Sequence, residues 1–308
     1  MSHRRFGFLD VLLVLVVAAW GANLSVVKVA VRELPVHAFN GVRLLLAALA
    51  FGLVLWRMSP GERRVARGDW GRVAVLGVVG GVVYQLLFMT GVPLTSVANS
   101  GLIFGLSPVV ISLLSSVVGH ERLSMSRWAG GALSVLGLFL VVGDGASLSR
   151  TTLLGDGLVF LAMLCWAAYS VASRPMLGRY SATMLTAWAA IVTAPIYAVL
   201  VAPALVSVRW TAVSWLTWSL LVWSAVFSLA IAYVIWYTGV QQIGATRTST
   251  YSNLTPLAAM FVGWWWLGEA VSSRQSAGAA AILGGVFLTR LSPVVLMPHA
   301  GPPAPPPE

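Results

Sequence analysis

The sequence predicts an all-α integral membrane protein with ten transmembrane helices, arranged as two inverted repeats of five helices each. Three observations lead to this fold class. Of the 308 residues, 58% are hydrophobic and only 9% are charged, whereas soluble domains are about one quarter charged. The apolar residues form long runs separated by short polar connections. The second half of the chain also repeats the first at a nearly constant spacing.

The repeat is visible as pairs of matching residues that lie 148 or 146 positions apart. A chain with only nine acidic residues seldom aligns two glutamates and two aspartates by accident. Duplication of one five-helix unit therefore explains the pattern. The matching pairs are Gly91/Gly239, Pro108/Pro256, Glu121/Glu269, Gly130/Gly278, Gly137/Gly285, Asp10/Asp156, Trp20/Trp166 and Lys28/Arg174.

Each predicted helix of the first copy is an apolar run of about 20 residues, the length needed to cross a hydrocarbon layer of roughly 30 Å. Charged residues, glycine or proline bound each run. Strands of a β-barrel would be about half as long and would alternate polar with apolar residues, a pattern that this sequence lacks. The five runs are 9–30, 36–56, 70–90, 95–118 and 127–143.

The second copy supplies five runs of the same kind, so the predicted repeats are 9–143 and 154–290. Residues 1–8 precede the first run, which we interpret as a retained helix rather than a signal peptide because many spans follow it. The tail, 291–308, is rich in proline and is predicted to be disordered. The five runs of the second copy are 154–174, 181–203, 215–239, 246–267 and 274–290.

Basic residues favour placing the N-terminus inside the cell, because cytoplasmic connections carry an excess of positive charge. Both termini are then cytoplasmic, in the plasma membrane. Since five helices per copy is an odd number, the second copy enters the membrane in the opposite orientation. The inner side receives Arg4, Arg5, Arg57, Arg63, Arg64, Arg67, Arg72, Arg122, Arg127, Arg174, Arg179, Arg247 and Arg290. The outer side receives only Lys28, Arg32, Arg150, Arg209 and Arg274.

Composition and motifs argue against several other functions. The net charge is +10, but the basic residues lie in connections as topology signals do, so nucleic acid is not an expected partner. The single cysteine, Cys165, excludes an intrachain disulfide and a multi-cysteine metal site. The sequence has no nucleotide-binding loop of the form G-x-x-x-x-G-K-[ST], so ATP does not drive this chain directly. No catalytic cluster lies within the spans, and we expect neither an enzyme nor a bound metal or cofactor.

Short motifs follow one another in a fixed order in both copies. The first copy contains Trp20-Gly21-x-Asn23, Pro35, Arg43-Leu-Leu-Leu-Ala-Ala, Thr95 to Ser100, Ser107-Pro108 and Gly119-His120-Glu121-Arg122-Leu123. The second contains Cys165-Trp166-Ala167-Ala168-Tyr169-Ser170, Arg174-Pro175, Thr255-Pro256 and Leu267-Gly268-Glu269. From residue 8 to 290 the chain resembles the drug/metabolite transporter superfamily, EamA type. The resemblance implies a ten-helix carrier with a central cavity that moves amino acids, other small metabolites or drugs across the plasma membrane, often outward.

Arg43 is a basic residue placed well inside a predicted span, about seven residues or roughly 10 Å from its outer end. Burying a charge at such a depth costs at least about 2 to 3 kcal/mol. In a cavity, its guanidinium could bind a carboxylate or phosphate through two parallel hydrogen bonds, which would suit an anionic or zwitterionic substrate. Alternatively, the long side chain reaches outward or binds helix carbonyls and has a structural role. The second copy has no basic residue at the corresponding place.

Aromatic and polar side chains deep within the spans are the other candidates for a substrate path. Rings could receive apolar or aromatic groups of a substrate, although packing in the core is the alternative for each of them. The candidates are Trp20, Asn23, Tyr84, Gln85, Asn99, Trp166, Tyr169, Trp188, Tyr233, Trp236, Tyr237 and Tyr251.

Pro108 and Pro256 are candidates for helix breaks, because proline removes a backbone donor and frees a carbonyl. Glu121 and Glu269 mark the repeat, and we interpret them as the starts of helices, where a negative side chain favours the helix dipole. No acidic residue lies near the middle of a span, and the histidines are peripheral. Facilitated diffusion therefore fits the sequence at least as well as an internal proton relay.

These features predict a secondary transporter that moves a small molecule by alternating access, and the resemblance implies an exporter. A channel-like pore or a membrane receptor without active transport is the alternative, and inverted duplication favours the carrier. The expected partners are a small-molecule substrate and the lipid bilayer. The sequence alone does not specify the substrate, the direction of transport, the driving force or the oligomeric state.

Overall fold

The computed structural model describes residues 7–95, 100, 103–119, 125–142, 150–255, 257–258, 260–261, 265 and 271–291. In this part of the chain, each of the ten predicted spans contains a helix. The helices of the first repeat are α1 (Phe8–Ala30), α2 (Val36–Arg57), α3 (Arg67–Leu94), α4 (Ser107–Val117) and α5 (Met125–Val142). Those of the second are α6 (Arg150–Ala172), α7 (Ala182–Leu200), α8 (Trp215–Ile243), α9 (Ala245–Thr250) and α10 (Ser273–Leu291).

The predicted fold class is confirmed. Among the described residues, five helical stretches are long and apolar enough to cross a membrane, and three further apolar helices are shorter. Large apolar side chains such as Leu49, Val199 and Trp215 point away from the protein and are largely exposed. Such a surface suits the hydrocarbon of a bilayer rather than water. The predicted tail, 291–308, lies almost wholly outside the described residues, as does most of the segment 1–8. The assignments of these two terminal segments stay predictions.

Glycines on α5 and α10 show how the two repeats are related. A Cβ added to Gly137 would lie 2.6 Å from the carbonyl oxygen of Gly278, and one added to Gly285 would lie 2.5 Å from that of Gly130. Gly130 corresponds to Gly278, and Gly137 to Gly285, so the two contacts are reciprocal, as contacts across a two-fold axis must be. The helices run antiparallel, which places this axis across them. The second repeat is therefore inverted relative to the first.

The other helix pairs follow the same two-fold symmetry. Helices α1 and α8 pack together, and so do their counterparts α6 and α3. Gly239 of α8 closely approaches Leu13 of α1, while the corresponding Gly91 closely approaches Val159 of α6. The second helices, α2 and α7, contact each other, and the fourth helices do the same. The centre of the protein is thus built from the first four helices of each repeat.

The third helix of each repeat contains a wider π-helical segment, at Val78–Val83 in α3 and at Ser224–Ile231 in α8. Such segments shift the backbone hydrogen-bond pattern and recur at functional sites. A side chain from the opposite repeat binds each one. Thr193 of α7 donates to the Gly77 carbonyl at 2.8 Å, and the Trp20 indole of α1 donates to the Ser228 carbonyl at 3.0 Å. Each wide turn is therefore fixed by the other half of the molecule.

Candidate functional site

The two tryptophans that correspond across the repeats, Trp20 and Trp166, meet at the centre of the bundle. Their ring centroids are 5.7 Å apart in an edge-to-face arrangement. Equivalent residues that touch each other lie next to the two-fold axis. Trp236 completes this centre, with centroid distances of 4.9 Å to Trp20 and 5.8 Å to Trp166. Helices α1, α6 and α8 therefore converge on one aromatic cluster.

Four tyrosines extend this aromatic cluster. Tyr84 and Tyr233 each lie 5.7 Å from Trp166, centroid to centroid. Tyr169 and Tyr237 form a T-shaped pair at 4.9 Å, and Tyr237 is 6.2 Å from Tyr233. The structure thus brings seven of the predicted aromatic candidates into one connected group. Whether they contact a substrate stays a prediction.

Arg43 lies beside this group, in a cluster of neutral polar side chains. Its Nη2 donates to Asn40 Oδ1 at 2.6 Å and approaches Gln85 Oε1 at 3.5 Å. Its Nη1 donates to Ser224 Oγ at 3.3 Å, and Ser224 in turn donates to Asn23 Oδ1 at 2.6 Å. Helices α1, α2, α3 and α8 each contribute at least one member. We call these five residues the Arg43 cluster.

Two donors of the Arg43 cluster are left over. Arg43 is only 4% exposed and Asn40 is completely buried. Arg43 Nε and Asn40 Nδ2 make no hydrogen bond with any described residue. No described carboxylate forms an ion pair with Arg43, although the ring of Phe39 lies 5.7 Å from its guanidinium carbon. A buried positive charge with neutral acceptors alone is costly, so this arrangement is a candidate site for an anion.

A small, partly open cavity of about 40 Å³ lies next to the Arg43 cluster. Gln85 of the Arg43 cluster lines it, as do Tyr169 and Tyr233 of the aromatic group. The walls are otherwise mostly apolar, with Leu44, Ala47, Phe51, Leu76, Gly77, Gly80, Gly81, Thr186, Ala189, Ala190, Thr193 and Leu229.

His37, near the beginning of α2, contacts side chains of two other helices. Its Nδ1 lies 3.0 Å from the Tyr197 hydroxyl, and its Nε2 lies 3.4 Å from Thr90 Oγ1. Tyr197 is completely buried. The histidine is peripheral along its helix, as predicted, yet its ring is held by side chains from α3 and α7.

At the predicted inner end, a buried carboxylate holds the two repeats together. Asp69, the residue that precedes the regular part of α3, is 4% exposed. Arg179, between α6 and α7, approaches it to 2.7 Å, and the Tyr180 hydroxyl donates to it at 2.7 Å. Arg72 adds a longer contact of 3.6 Å. Opening this end requires breaking an ion pair and a hydrogen bond.

At the predicted outer end, the corresponding contact is weaker. Glu33, between α1 and α2, corresponds to Arg179 at the spacing of 146, and its partner Ser214 immediately precedes α8. The Ser214 N–H donates to Glu33 Oε2 at 2.9 Å. This hydrogen bond holds the pKa of the Glu33 carboxyl below its usual range. The repeats thus contact each other at both predicted ends, through an ion pair at one end and a hydrogen bond at the other.

Two predicted candidates lie away from the aromatic group. Trp188 donates to the Arg63 carbonyl at 3.0 Å and packs on Trp70 with 5.0 Å between centroids, near the predicted inner end. The Tyr251 hydroxyl donates to the Asp10 carboxylate at 2.5 Å, near the beginning of α1. Both residues belong to the second repeat, and each donates a hydrogen bond to a residue of the first.

Of the helix-break candidates, Pro108 is described. The helical path is interrupted at Leu106 and resumes at Ser107, so that Pro108 falls in the first turn of α4, where proline costs little. The other predictions of this kind, Pro256, Glu121 and Glu269, lie outside the described residues, as does Asn99.

The sequence pointed to Asn23, Arg43 and Gln85 but not to Asn40 and Ser224. Asn40 lies three residues before Arg43, so helical spacing places the two on one face, and this signal was available. Ser224 comes from a helix 181 residues away along the chain. No local pattern identifies such a partner.

Comparisons with known proteins agree with this architecture. The model of the EamA-like transporter family matches residues 7–143 and 153–291. The chain belongs to the EamA-like transporter family. In fold, this EamA-like transporter is similar to a solved crystal structure, with a TM-score of 0.75, 19% identity, and coverage of 91% of this chain and 96% of the other.

Relatives of this EamA-like transporter carry transporter names. One is the uncharacterized transporter YyaM of Bacillus subtilis (strain 168), which is 25% identical over 87% of this chain and 88% of its own length. Another is a probable terminal-alkyne amino-acid exporter of Streptantibioticus cattleyicolor, 26% identical over 90% of this chain and 91% of its own length. The family and these names identify the chain as a multi-pass helical membrane transporter.

Proposed function

We propose that this protein is a secondary transporter that exports a small molecule across the plasma membrane by alternating access. The observation that carries the proposal is the inverted arrangement of the repeats, with contacts between them at opposite predicted ends, Asp69 with Arg179 and Glu33 with Ser214. Two inverted halves of this kind support alternate opening to either side of a central site. The aromatic group and the Arg43 cluster lie between these contacts.

The proposed direction is outward, and the substrate class at this level is an amino acid, another metabolite or a drug. The name of the Streptantibioticus relative, a probable terminal-alkyne amino-acid exporter, supports export. The excess of basic residues on one side supports cytoplasmic termini. No nucleotide, nucleic acid, metal or cofactor is part of the proposed cycle.

Flux into proteoliposomes tests the proposal. Purified protein is reconstituted and labelled amino acids, organic anions and cationic drugs are offered. A carrier gives saturable uptake and counterflow, in which unlabelled substrate inside accelerates uptake of label from outside. A channel-like pore, the alternative, gives flux that hardly saturates and no counterflow. A receptor binds a ligand but gives no flux. The channel-like result and the receptor-like result would each contradict the proposal.

Cysteine accessibility tests the orientation. In a Cys165→Ala background, a single cysteine replaces either Arg57 or Arg209. Arg57 follows the second span and is predicted to lie inside, whereas Arg209 precedes the eighth span and is predicted to lie outside. A membrane-impermeant reagent applied to intact cells should label the variant at 209 and leave the variant at 57 unlabelled. Labelling of position 57 alone would reverse the proposed orientation.

A further inference from the structure

The Arg43 cluster contains more hydrogen-bond donors than acceptors. Asn40 Oδ1, Gln85 Oε1 and Ser224 Oγ accept from Arg43. Two donors remain, Arg43 Nε, which has no hydrogen-bond partner among the described residues, and Asn40 Nδ2, which lies near the Tyr197 hydroxyl but makes no well-formed hydrogen bond with it. Since buried polar groups are normally hydrogen-bonded, the leftover donors indicate that an acceptor from outside the chain belongs here.

The charge balance points the same way. A guanidinium stays protonated even when buried, so the Arg43 cluster carries one positive charge. The acidic residues that the structure describes lie near helix ends or in connections, away from Arg43: Asp10, Glu33, Glu62, Asp69 and Asp156. A single negative charge brought by a ligand would neutralise the cluster, whereas a second positive charge would find no carboxylate partner among the described residues.

The missing acceptor must also suit the geometry. A carboxylate has two oxygens and about four lone-pair sites, so it can accept from a guanidinium and an amide together. Gln85 belongs both to the Arg43 cluster and to the cavity wall, and Tyr233 and Phe51 line the same cavity. Arg43 and Asn40 do not themselves line this cavity, so a carboxylate that reaches their leftover donors would pass Gln85, and the organic group attached to it would lie in the largely apolar cavity.

The asymmetry of the repeats favours a ligand site over a packing role. The positions in α7 that correspond to Asn40 and Arg43 of α2 are Thr186 and Ala189. Both line the cavity, and Thr186 donates to its own helix at Ala182. The same helix packing is thus achieved in the second repeat without a charge or an amide.

We propose that Arg43 and Asn40 bind the carboxylate of a substrate that has a net charge of −1 and carries no ammonium group. This inference rests on the proposed transport function and narrows its substrate class. An amino acid would add an ammonium group, which has no carboxylate partner among the described residues of the cavity. A cationic drug would be repelled by Arg43.

Three compounds that share one ring test the charge requirement: 3-phenylpropionate, phenylalanine and phenethylamine. Calorimetry on the purified protein in nanodiscs measures their affinities at neutral pH. We expect 3-phenylpropionate to bind at least about tenfold more tightly than phenylalanine, and phenethylamine not to bind. Equal or tighter binding of phenylalanine or phenethylamine would overturn the inference, and so would the absence of binding by 3-phenylpropionate to folded protein.

The Asn40→Asp substitution separates a binding role from a structural one. The new carboxylate would pair with Arg43 inside the protein and take the place of the ligand's carboxylate. We expect a melting temperature equal to or above that of the parent protein and a loss of affinity for 3-phenylpropionate of at least about tenfold. If Arg43 only stabilises packing, this variant keeps its affinity, which contradicts the proposal.

Arg43→Gln should lose the same affinity, and Arg57→Gln, an identical change at the exposed end of the same helix, should leave it unchanged. Arg43→Lys keeps the charge but not the planar fork, so it should retain intermediate affinity. Because binding is measured without flux, the two proposals fail separately. Carboxylate binding without flux would reject the transport cycle, whereas flux of zwitterions with no carboxylate preference would reject only the anion site.

Discussion

The helix pairs α5–α10 and α2–α7 lie across the same two-fold axis but differ in symmetry. In α5–α10, both copies contribute glycines at equivalent positions, and each glycine faces backbone of the other helix. In α2–α7, Asn40 and Arg43 of one copy correspond to Thr186 and Ala189 of the other. The α5–α10 pair is therefore symmetric at its contact. The α2–α7 pair is not, because only α2 carries a positive charge and an amide at these positions.

The largest expected effect comes from breaking the symmetric pair. Gly137→Ala places a methyl group 2.6 Å from the Gly278 carbonyl oxygen, where backbone must move. Overpacking of this kind costs about 1 to 3 kcal/mol. Gly131→Ala is the matched control on the same helix, because its nearest neighbour would be a Val109 methyl at 3.7 Å. Thermal unfolding of the purified variants in detergent should show a clear drop for the first and almost none for the second. Equal melting temperatures would contradict the close approach.

A second prediction compares the contacts at the two ends. Asp69→Asn removes the charge that Arg179 and Tyr180 contact, and we expect about a tenfold increase in labelling of a cysteine placed at the cavity-lining position Ala190, measured from the predicted inner side. Arg179 is half-exposed, so the change stays well below that for a fully buried pair. Glu33→Gln, the equivalent change at the other end, should alter labelling from the outer side by less. A larger effect for Glu33→Gln would reverse the comparison.

A third prediction concerns the π-helical segments. The Thr193 hydroxyl lies 2.8 Å from the Gly77 carbonyl of the other repeat and 2.8 Å from the Ala189 carbonyl of its own helix, so its one hydrogen is shared between them. Thr193→Val removes this shared hydrogen bond, at a cost of about 1 kcal/mol. Thr238→Val is the control, because this hydroxyl bonds within its own helix, to the Val234 carbonyl. Thermal unfolding again gives the measurement. If Thr193→Val and Thr238→Val lower the melting temperature equally, the contact of Thr193 with the Gly77 carbonyl adds no stability, which contradicts the prediction.

The smallest expected effect is the pH response of Glu33. Its pKa is lowered because the Ser214 N–H donates to the ionised form, so the contact is present at neutral pH and is lost as pH falls through the lowered pKa. Outer-side labelling of a cavity cysteine should therefore rise slightly in acid, and Glu33→Gln should remove this rise. An unchanged acid response in the variant would assign it to another group.

The sequence predicted the ten helices well because bilayer length and polar connections constrain each run independently of its neighbours. It also singled out Arg43, since one charge inside an apolar run stands out; the structure shows that this residue is buried, and its role in binding stays a prediction. It could not identify Ser224 or the Trp20–Ser228 contact, because these depend on how distant helices pack. The π-helical segments were missed as well. Gly80-Gly81 accompanies the first, but Ser224–Ile231 contains no glycine, so composition gives no common signal for the two.

The meeting of Trp20 and Trp166 next to the axis has a geometric consequence. In the proposed alternating-access cycle, the two halves would exchange conformations, and a pair of side chains astride the axis would trade places. The two indoles would then form the same contact before and after the exchange. A cargo passing between the compartments would therefore encounter an identical pair of rings at the midpoint from either direction, while the helix ends change around it.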